Sequence, residues 1–351
     1  MVDVVTNRIS IFEYNSADIA IERQSRYRTA PPLFVNLDLV TEKWRSIWIR
    51  IASRAEAVIP TGHLCSIKNA VVFGQGAILA PDGSLIKETM PTTPLEAPDG
   101  LAHKMDGHVA LLRKPGDNNY GHWLLELLPR VREFRAIFGH NVRFAIPGSP
   151  FALRQMRLET LAWLGVQEED VVWLSNDPTQ FDEISFITTN SIHSHTHDYT
   201  GIRDIVRLAT QGGKFDKGRR LYVARPEALR RGITNQAEIQ DMFAKAGFDV
   251  IMPDGSFTAA EQVSLFRSAS VVAGISGAAL TNLMWMRPDT HVLSFNPNLG
   301  YEFFFWDLAN ITDVRFSLIF GEAVSQEKGV HSDFTIDPQL VKSWLDGLRL
   351  N

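Results

Sequence analysis

The sequence lacks three features that would each define a class of protein. Cys65 is the only cysteine among 351 residues, which excludes an intrachain disulfide and a thiolate zinc cluster and favours a reducing compartment. No run of about 20 apolar residues occurs, so no transmembrane helix is expected. No G-x-G-x-x-G follows a predicted strand, which argues against a dinucleotide-dependent dehydrogenase. We expect a cytoplasmic protein, with peripheral contact to the inner face of a membrane left open.

The chain also lacks an excess of positive charge. Its formal net charge is −5, whereas nonspecific nucleic-acid binding depends on a basic surface, so no nucleic-acid partner is expected. Residues 214–220 are locally basic, and we interpret them as a solvated loop. The length, together with a hydrophobic fraction of 45%, predicts a globular protein of two domains.

After Arg219 the sequence alternates between strand-like and helix-like segments: RRLYVAR, NQAEIQDMFAKAGF, DVIMP, TAAEQVSLFRSA, SVVAGI, GAALTNLMWM and HVLSF. This alternation predicts βαβ units and a parallel sheet with right-handed crossovers. The first part is less regular, although a hairpin is predicted to turn at Pro81-Asp82-Gly83. We therefore expect an α/β domain over residues 1–198 and a Rossmann-like domain over residues 199–351.

Two of the predicted helices begin with the spacing of a capping box, Asn235 with Glu238 and Thr258 with Glu261. Glu261 has a second interpretation, because it follows a predicted strand at the end where ligands of open α/β sheets bind. Helix capping and ligand contact are therefore both open for Glu261.

The most informative segment is residues 270–287, SVVAGISGAALTNLMWMR, in which a β-branched run ends at a glycine and a helix-forming run follows at once. Unpaired N–H groups and the helix dipole favour an anion at such a turn, and Gly277, Ala278 and Ala279 leave room for a phosphate. Arg225 follows another predicted strand, where its guanidinium can grip a phosphate at two points. The alternative for Arg225 is a surface position in a basic loop.

A second candidate site lies in NNYGHWLLELLPRVREF, residues 118–134, whose apolar stripe predicts a helix. His122 and Glu126 are four residues apart and share one face of that helix. Such a pair can act as a general base, because the carboxylate and the imidazole tune one another. The plainer alternative is a polar i,i+4 pair. Pro129 removes a backbone hydrogen bond and is expected to kink the helix.

Three histidines alternate along NSIHSHTHDY: His193, His195 and His197. On an extended segment they would share one face, and three imidazoles can hold zinc. Alternate positions along one strand spread over about 13 Å, however, which is too wide for one ion. We predict no metal requirement and interpret the segment as a linker or cleft lining, with His195 on the acceptor side.

Three blocks in this order resemble glycosyltransferase family 61: NYGHWLLELLPR from Asn119, LYVAR to ITN from Leu221, and the segment from Ala246 to HVLSF. That family occurs among bacterial capsular or exopolysaccharide proteins and among eukaryotic xylosyl- and N-acetylglucosaminyltransferases. The resemblance is strong from Arg219 to Asn296.

The resemblance implies a GT-B fold, two Rossmann-like domains facing across a cleft, and inverting transfer from a nucleotide sugar without a cofactor. The acceptor would be a glycan, a polysaccharide or a lipid-linked saccharide. Catalysis would fall to Glu126 and His122. Acceptor contacts would come from Asn119, Tyr120 and Trp123, and donor contacts from Arg225, Arg231, Asn235, Glu261, Ser276, Gly277, Ala278 and Asn282. The oligomeric state is not predicted.

The chain departs from the family at the turn, which usually has Gly-x-His-Gly-Ala-Gly-Leu-Thr-Asn. Here Ser276 stands in place of the histidine and Ala279 in place of a glycine. A serine hydroxyl can donate to a phosphate, but it cannot act as an acid near neutral pH. The same residues resemble a nucleophile elbow, so a serine hydrolase with Ser276 as nucleophile is one alternative. A non-catalytic glycan-binding protein is the other.

Overall fold

The computed structural model describes residues 7–14, 18–21, 26–89, 103–148, 150–188, 197–226, 231–253, 255–300 and 303–348. His193 and His195 lie outside these ranges, so their suggested roles stay predictions.

Eighteen strands are present in the described residues. In chain order they are β1 Arg8–Ile9, β2 Asp18–Ala20, β3 Arg26–Arg28, β4 Leu33–Phe34, β5 Glu56–Val58, β6 His63–Phe73, β7 Ala77–Leu79, β8 Leu85–Ile86, β9 His103–Leu111, β10 Arg143–Pro147, β11 Val171–Leu174, β12 Thr179–Ile187, β13 Arg219–Val223, β14 Asp249–Ile251, β15 Ala269–Ile275, β16 His291–Pro297, β17 Arg315–Ala323 and β18 Phe334–Thr335.

The same ranges contain nine α-helices, and their bounds are α1 Glu42–Ala52, α2 Tyr120–His122, α3 Arg130–Phe138, α4 Arg154–Ala162, α5 Tyr199–Thr210, α6 Gln236–Lys245, α7 Ala259–Ser268, α8 Phe304–Ile311 and α9 Pro338–Leu348. A π-helix spans Trp123–Leu127. Turns of 3₁₀-helix span Leu37–Leu39, Lys87–Thr89, Phe151–Leu153, Glu168–Asp170, Ala278–Trp285 and Gly329–His331.

The chain folds into two compact units, the first from Met1–Ser25 and Ile59–Leu208 and the second from Arg26–Val58 and Ala209–Asn351. The predicted division after residue 198 instead assigned Arg26–Val58 to the first domain. That segment joins the second unit because β4 pairs in parallel with β17. Trp48 of α1 packs edge-on against Phe303, with 4.2 Å between ring centroids. These contacts join residues that are remote in sequence, so no periodic pattern in the sequence predicts them.

The first unit contains a nine-stranded mixed sheet among its described residues, with the order β1-β8-β7-β6-β12-β9-β10-β11 and β2 paired to β6. Strands β12, β9, β10 and β11 run parallel to one another, while β6 runs antiparallel to β12. The predicted hairpin is present, since β7 and β8 pair antiparallel and Gly83 adopts a φ of +84° between them. The parallel strands direct the carboxyl end of β9 toward one edge of the sheet.

The second unit contains the predicted parallel sheet, with the order β14-β13-β15-β16-β17-β18. From β13 to β17 the pairing is parallel throughout, so the fold is mixed α/β with parallel sheets. Numbered from β13, the spatial order is 2-1-3-4-5, that of doubly wound folds that bind ligands where the order reverses. This switch point lies between β13 and β15. The core packs α6 and α9 on one face through Ile239, Phe243, Val341 and Trp344.

The structure separates the two capping predictions. Thr258 and Glu261 form a complete capping box at the start of α7. Asn235 precedes α6 but makes no side-chain cap. Its amide instead donates from Nδ2 to the carbonyl of Ile336 at 2.9 Å and accepts the N–H of Ile336 at Oδ1 at 3.1 Å. A capping box at Asn235 was therefore wrong: a long-range contact takes the side chain that a local pattern assigned to the helix.

The long helix predicted over residues 118–134 is interrupted. Its middle is the π-helix, in which the N–H of Leu128 donates to the carbonyl of Trp123 at 2.8 Å. Pro129 has no N–H to donate and disfavours regular α-helix in the preceding turn. The wider turn shifts Glu126 relative to a straight helix, and π-helical turns are frequent at functional sites.

In the part of the chain that the structure describes, no helix combines the length and the apolar character needed to cross a membrane.

We predict that His291 makes the second unit sensitive to acid. Burial, with a smaller contribution from Arg315, lowers the pKa of His291 to about 4, and its Nε2 lies 2.6 Å from Ser317 Oγ. Below pH 6.5 the unfolded chain binds a proton that the folded chain does not, so stability falls between about pH 6.5 and 4, by up to about 3 kcal/mol. Denaturant unfolding across this range should show a flatter pH dependence for His291→Gln. The exposed His140→Gln serves as the control, and equal slopes in all three proteins would contradict the prediction.

Candidate functional site

The switch point of the second unit brings Arg225 against Gly277. Arg225 lies just beyond the end of β13, and Gly277 follows Ser276 at the end of β15. A Cβ on Gly277 would lie 2.5 Å from Nη1 of Arg225. Real Cβ atoms do not approach so closely, so any larger residue here would require the Arg225 guanidinium to move. Its φ of −179° is ordinary extended backbone.

The Arg225 guanidinium is half-buried, and its Nε is buried with no hydrogen-bond partner among the described residues. Burial lowers the pKa of Arg225, and the nearby Arg231 lowers it further while Asp333 opposes the shift. Arg231 donates from Nη1 to the carbonyl of Ser276 at 3.1 Å. An unsatisfied guanidinium beside a second cation favours an anion, since ligand oxygens would supply the missing acceptor.

Backbone N–H groups lie beside Arg225. The predicted helix after Gly277 is a 3₁₀-helix rather than an α-helix, and its first hydrogen bond runs from the N–H of Leu280 to the carbonyl of Gly277 at 2.8 Å. The N–H groups of Ala278 and Ala279 precede that bond and have no acceptor within the helix. Gly277, Ala278 and Ala279 are half-buried, so an anion can reach these amides.

Ser276 does not belong to the accessible part of the turn. It is 1% exposed, its N–H donates to the carbonyl of Phe295 at 3.1 Å, and its Oγ lies 2.7 Å from Ser294 Oγ. Ser294 also accepts from Asn296 Nδ2 at 3.2 Å. The side chain is thus directed to β16, away from the anion expected at the turn. A hydrolase nucleophile must be exposed beside a histidine, and this serine is bonded to another serine instead.

Three further side chains that were candidates for donor binding form hydrogen bonds within the protein. Asn282 is fully buried and bridges Gln262 Oε1 at 2.9 Å and Trp285 Nε1 at 3.0 Å. Asn235 holds Ile336, and Glu261 accepts from the N–H and hydroxyl of Thr258. These hydrogen bonds lower the pKa of Glu261. Asn282 and Asn235 thus hold neighbouring segments together, while the exposed Glu261 caps α7 through one carboxylate oxygen.

Buried charges hold the loop that follows β9 in the first unit. Arg113 donates from Nε to Asp117 Oδ2 at 2.7 Å. Arg157 on α4 donates to the carbonyl of Asp117 at 2.8 Å and to that of Pro147, at the end of β10, at 2.7 Å. Burial lowers the pKa of Arg157 to about 10. This network was not predicted from the sequence, although charged residues directly after an apolar strand are a signal of a carboxyl edge.

Glu126, His122 and Lys114 form a cluster beside that loop. Glu126 Oε2 accepts from Lys114 Nζ and lies 3.1 Å from His122 Nδ1. The side chains of Lys114 and Glu126 are 4% and 10% exposed. Burial, reinforced by Arg130, lowers the pKa of Lys114 to about 7, whereas Asp117 acts to raise it. The His122/Glu126 pair expected from sequence is present, and Lys114 is a member that the sequence analysis did not find.

The remaining acceptor-side candidates differ in their exposure. Asn119 is exposed and accepts the N–H of Gly121 at 2.8 Å as the cap of α2, while Tyr120 is half-buried beside it. Trp123 is fully buried and donates to Thr160 Oγ1 at 3.0 Å. Trp123 therefore packs inside the unit, whereas Asn119 and Tyr120 are accessible to solvent.

Two other features bear on the site. Among the described residues, no group of three or more histidine, cysteine or carboxylate side chains is arranged to hold a metal ion. A groove of about 1330 Å³ lies at the amino ends of β15, β16 and β17, lined by Asp289, His291, Trp306 and Trp344 among others. It occupies the edge of the sheet opposite to Arg225 and Gly277.

The family model for glycosyltransferase 61 matches residues 120–293, a range that contains His122, Glu126, Arg225 and Gly277. The chain belongs to this family and is a glycosyltransferase, as the sequence resemblance predicted. No curated protein matches the chain. Among solved structures, it is similar to the iron-containing dodecameric glycosyltransferase TibC of enterotoxigenic E. coli, with 9% identity over 80% of this chain and 77% of that one and a TM-score of 0.29.

We predict that Gly277→Ala weakens anion binding without unfolding the protein. The added Cβ displaces Nη1 of Arg225, which lies at the far end of a flexible side chain, so the thermal midpoint should change little. Loss of one charge-assisted contact should raise the Kd for inorganic pyrophosphate about tenfold, measured by calorimetry. Gly347→Ala in α9, where a Cβ meets nothing within 4 Å, is the control. Equal affinity in both variants would contradict the role of Gly277.

Proposed function

We propose that this glycosyltransferase moves a sugar from a nucleotide sugar to a hydroxyl of a glycan or lipid-linked saccharide, with inversion at the anomeric carbon. The observation that carries the proposal is the close approach of Arg225 to Gly277 at the switch point. We further propose a GT-B fold for this chain, with ligand sites at the carboxyl edges of the parallel strands of each unit. The capsular or exopolysaccharide setting and the cytoplasmic location belong to the same proposal.

The donor diphosphate would lie on the amides of Gly277, Ala278 and Ala279, with the Arg225 guanidinium along one side. Negative charge develops on this group as the sugar bond breaks, so fixed donors aimed at it stabilise the transition state more than the ground state. Arg231 acts on the same edge through its hold on the Ser276 carbonyl. With this positive charge supplied by the protein, we propose that transfer needs no divalent metal.

On the first unit, His122 would act as the general base and Glu126 would orient it. Nδ1 of His122 lies 3.1 Å from Glu126 Oε2, and we propose that this carboxylate favours the tautomer with its proton on Nδ1, so that Nε2 can accept a proton. Nε2 takes the proton of the acceptor hydroxyl as its oxygen attacks the anomeric carbon. One displacement on one face of the sugar inverts its configuration. Asn119 and Tyr120 are placed to contact the acceptor.

We expect Arg225→Met to remove most of the thermal stabilisation that a nucleoside diphosphate gives. A ligand at 100 times its Kd stabilises the native state by about 2.7 kcal/mol, and loss of the arginine contact removes most of this effect. The measurement is a thermal-shift panel of nucleoside diphosphates and nucleotide sugars. The control is Arg219→Met, because Arg219 lies at the opposite end of β13 and pairs with Asp249 at 2.8 Å. If both variants kept the full shift, the donor site would lie elsewhere.

We expect His122→Gln and Glu126→Gln to affect chemistry but not donor binding. Loss of a positioned base costs a hundredfold or more in rate, while the thermal shift with donor stays as in the unmodified protein. Transfer rates to a glycan acceptor, measured with and without EDTA, test the base and the absence of a metal requirement together. Full activity in His122→Gln would remove His122 from the base role, and loss of turnover in EDTA would overturn the metal-free mechanism.

A further inference from the structure

Lys114 shares one carboxylate oxygen with the proposed base. Its ammonium and Nδ1 of His122 both contact Oε2 of Glu126, while Oε1 is buried and has no hydrogen-bond partner among the described residues. We propose that Lys114 is a positioning residue. Its ammonium supplies the positive charge that balances the Glu126 carboxylate, so that His122 stays neutral and can accept a proton. This inference rests on the proposed role of His122.

The geometry holds the three groups together. Lys114 follows Arg113 in the loop after β9, and the buried contacts of Arg113 and Arg157 with Asp117 fix that loop. Glu126 lies in the π-helix, whose wide turn sets its position relative to the loop. The ring of His122 packs against Gly116, where a Cβ would lie 3.2 Å from Cδ2. The imidazole is therefore confined between Gly116 and Glu126.

The charges around the cluster explain the role of the lysine. A buried carboxylate must be neutralised, and here it has two candidate proton carriers, Lys114 and His122. If the proton rests on Lys114, His122 is a neutral imidazole that can accept a proton. If it rests on His122, the imidazolium cannot act as a base.

The groups facing Lys114 act on its charge in opposite directions. Burial and the guanidinium of Arg130 on α3 both disfavour the ammonium, and Asp117 in the loop favours it. Glu126 on the π-helix adds a direct contact that favours it. Removal of the lysine leaves Glu126 with His122 as the remaining proton carrier in the cluster. The pKa of His122 must then rise, because an opposite charge in a buried site favours the protonated imidazole.

The test is the pH profile of kcat/KM for transfer by the full chain. In Lys114→Met the acid limb should move to higher pH by about one unit, so that activity falls about tenfold on the acid side and recovers in alkaline buffer. Lys114→Arg, which keeps the positive charge, should leave the limb in place. Lys114→Met combined with Glu126→Gln should return the limb toward low pH, because the carboxylate that required a counter-charge is gone. A merely structural lysine would lower kcat/KM equally at every pH, and that result would overturn the proposal.

A second readout does not depend on turnover. In the protein labelled with ¹⁵N-histidine, the His122 resonance can be assigned by its loss in His122→Gln and titrated directly. We expect Lys114→Met to raise the pKa of His122, and an unchanged titration would overturn the inference. If His122→Gln itself transfers sugar at the full rate, the proposed base has failed. If only the pH limb and the titration stay fixed, the role of Lys114 alone has failed.

Discussion

The contact between the Arg225 guanidinium and the backbone of Gly277 is the constraint on which the donor side of this protein depends. A parallel sheet with the order 2-1-3-4-5 leaves a crevice beside its first strand, and the chain passes that crevice twice, after β13 and after β15. The arginine from the first passage can lie flat against the second only where no side chain intervenes. Because Gly277 provides that space, a half-buried cation and the amides of Ala278 and Ala279 share one surface.

The first unit also depends on a loop at the carboxyl end of a parallel strand. Buried charges, rather than an open turn, hold that loop in place. The loop after β9 carries Arg113, Lys114 and Asp117 into the interior, and Arg157 meets them from α4. Burial of charge is costly unless every group is paired, and removal of one partner from such a network leaves the others uncompensated. The network therefore gives the loop a single arrangement. That rigidity presents the His122/Glu126 pair at the carboxyl edge of a central strand.

The sequence predicted most of the second unit because its order is local. The alternation of strand-like and helix-like segments from Arg219 to HVLSF predicted the parallel sheet. The spacing of Thr258 and Glu261 predicted the capping box that they form. The differences between the structure and the sequence-based expectations have non-local causes. Arg26–Val58 joins the second unit through pairing with β17, nearly 300 residues away in sequence. Asn235 and Asn282 lie in segments expected to bind the donor, and their side chains form hydrogen bonds with residues remote in sequence. Lys114 was missed because its partner Glu126 is brought near by a π-helical turn that no periodicity predicts.

The central claim is that the switch point between β13 and β15 receives the donor diphosphate. Hydrogen–deuterium exchange mapped by peptide, with and without the nucleoside diphosphate that gives the largest thermal shift, tests it most directly. The account predicts slower exchange in the peptide that contains Gly277, Ala278 and Ala279. Protection confined to the groove at the opposite edge, around Asp289 and His291, with no change at Gly277, would contradict it.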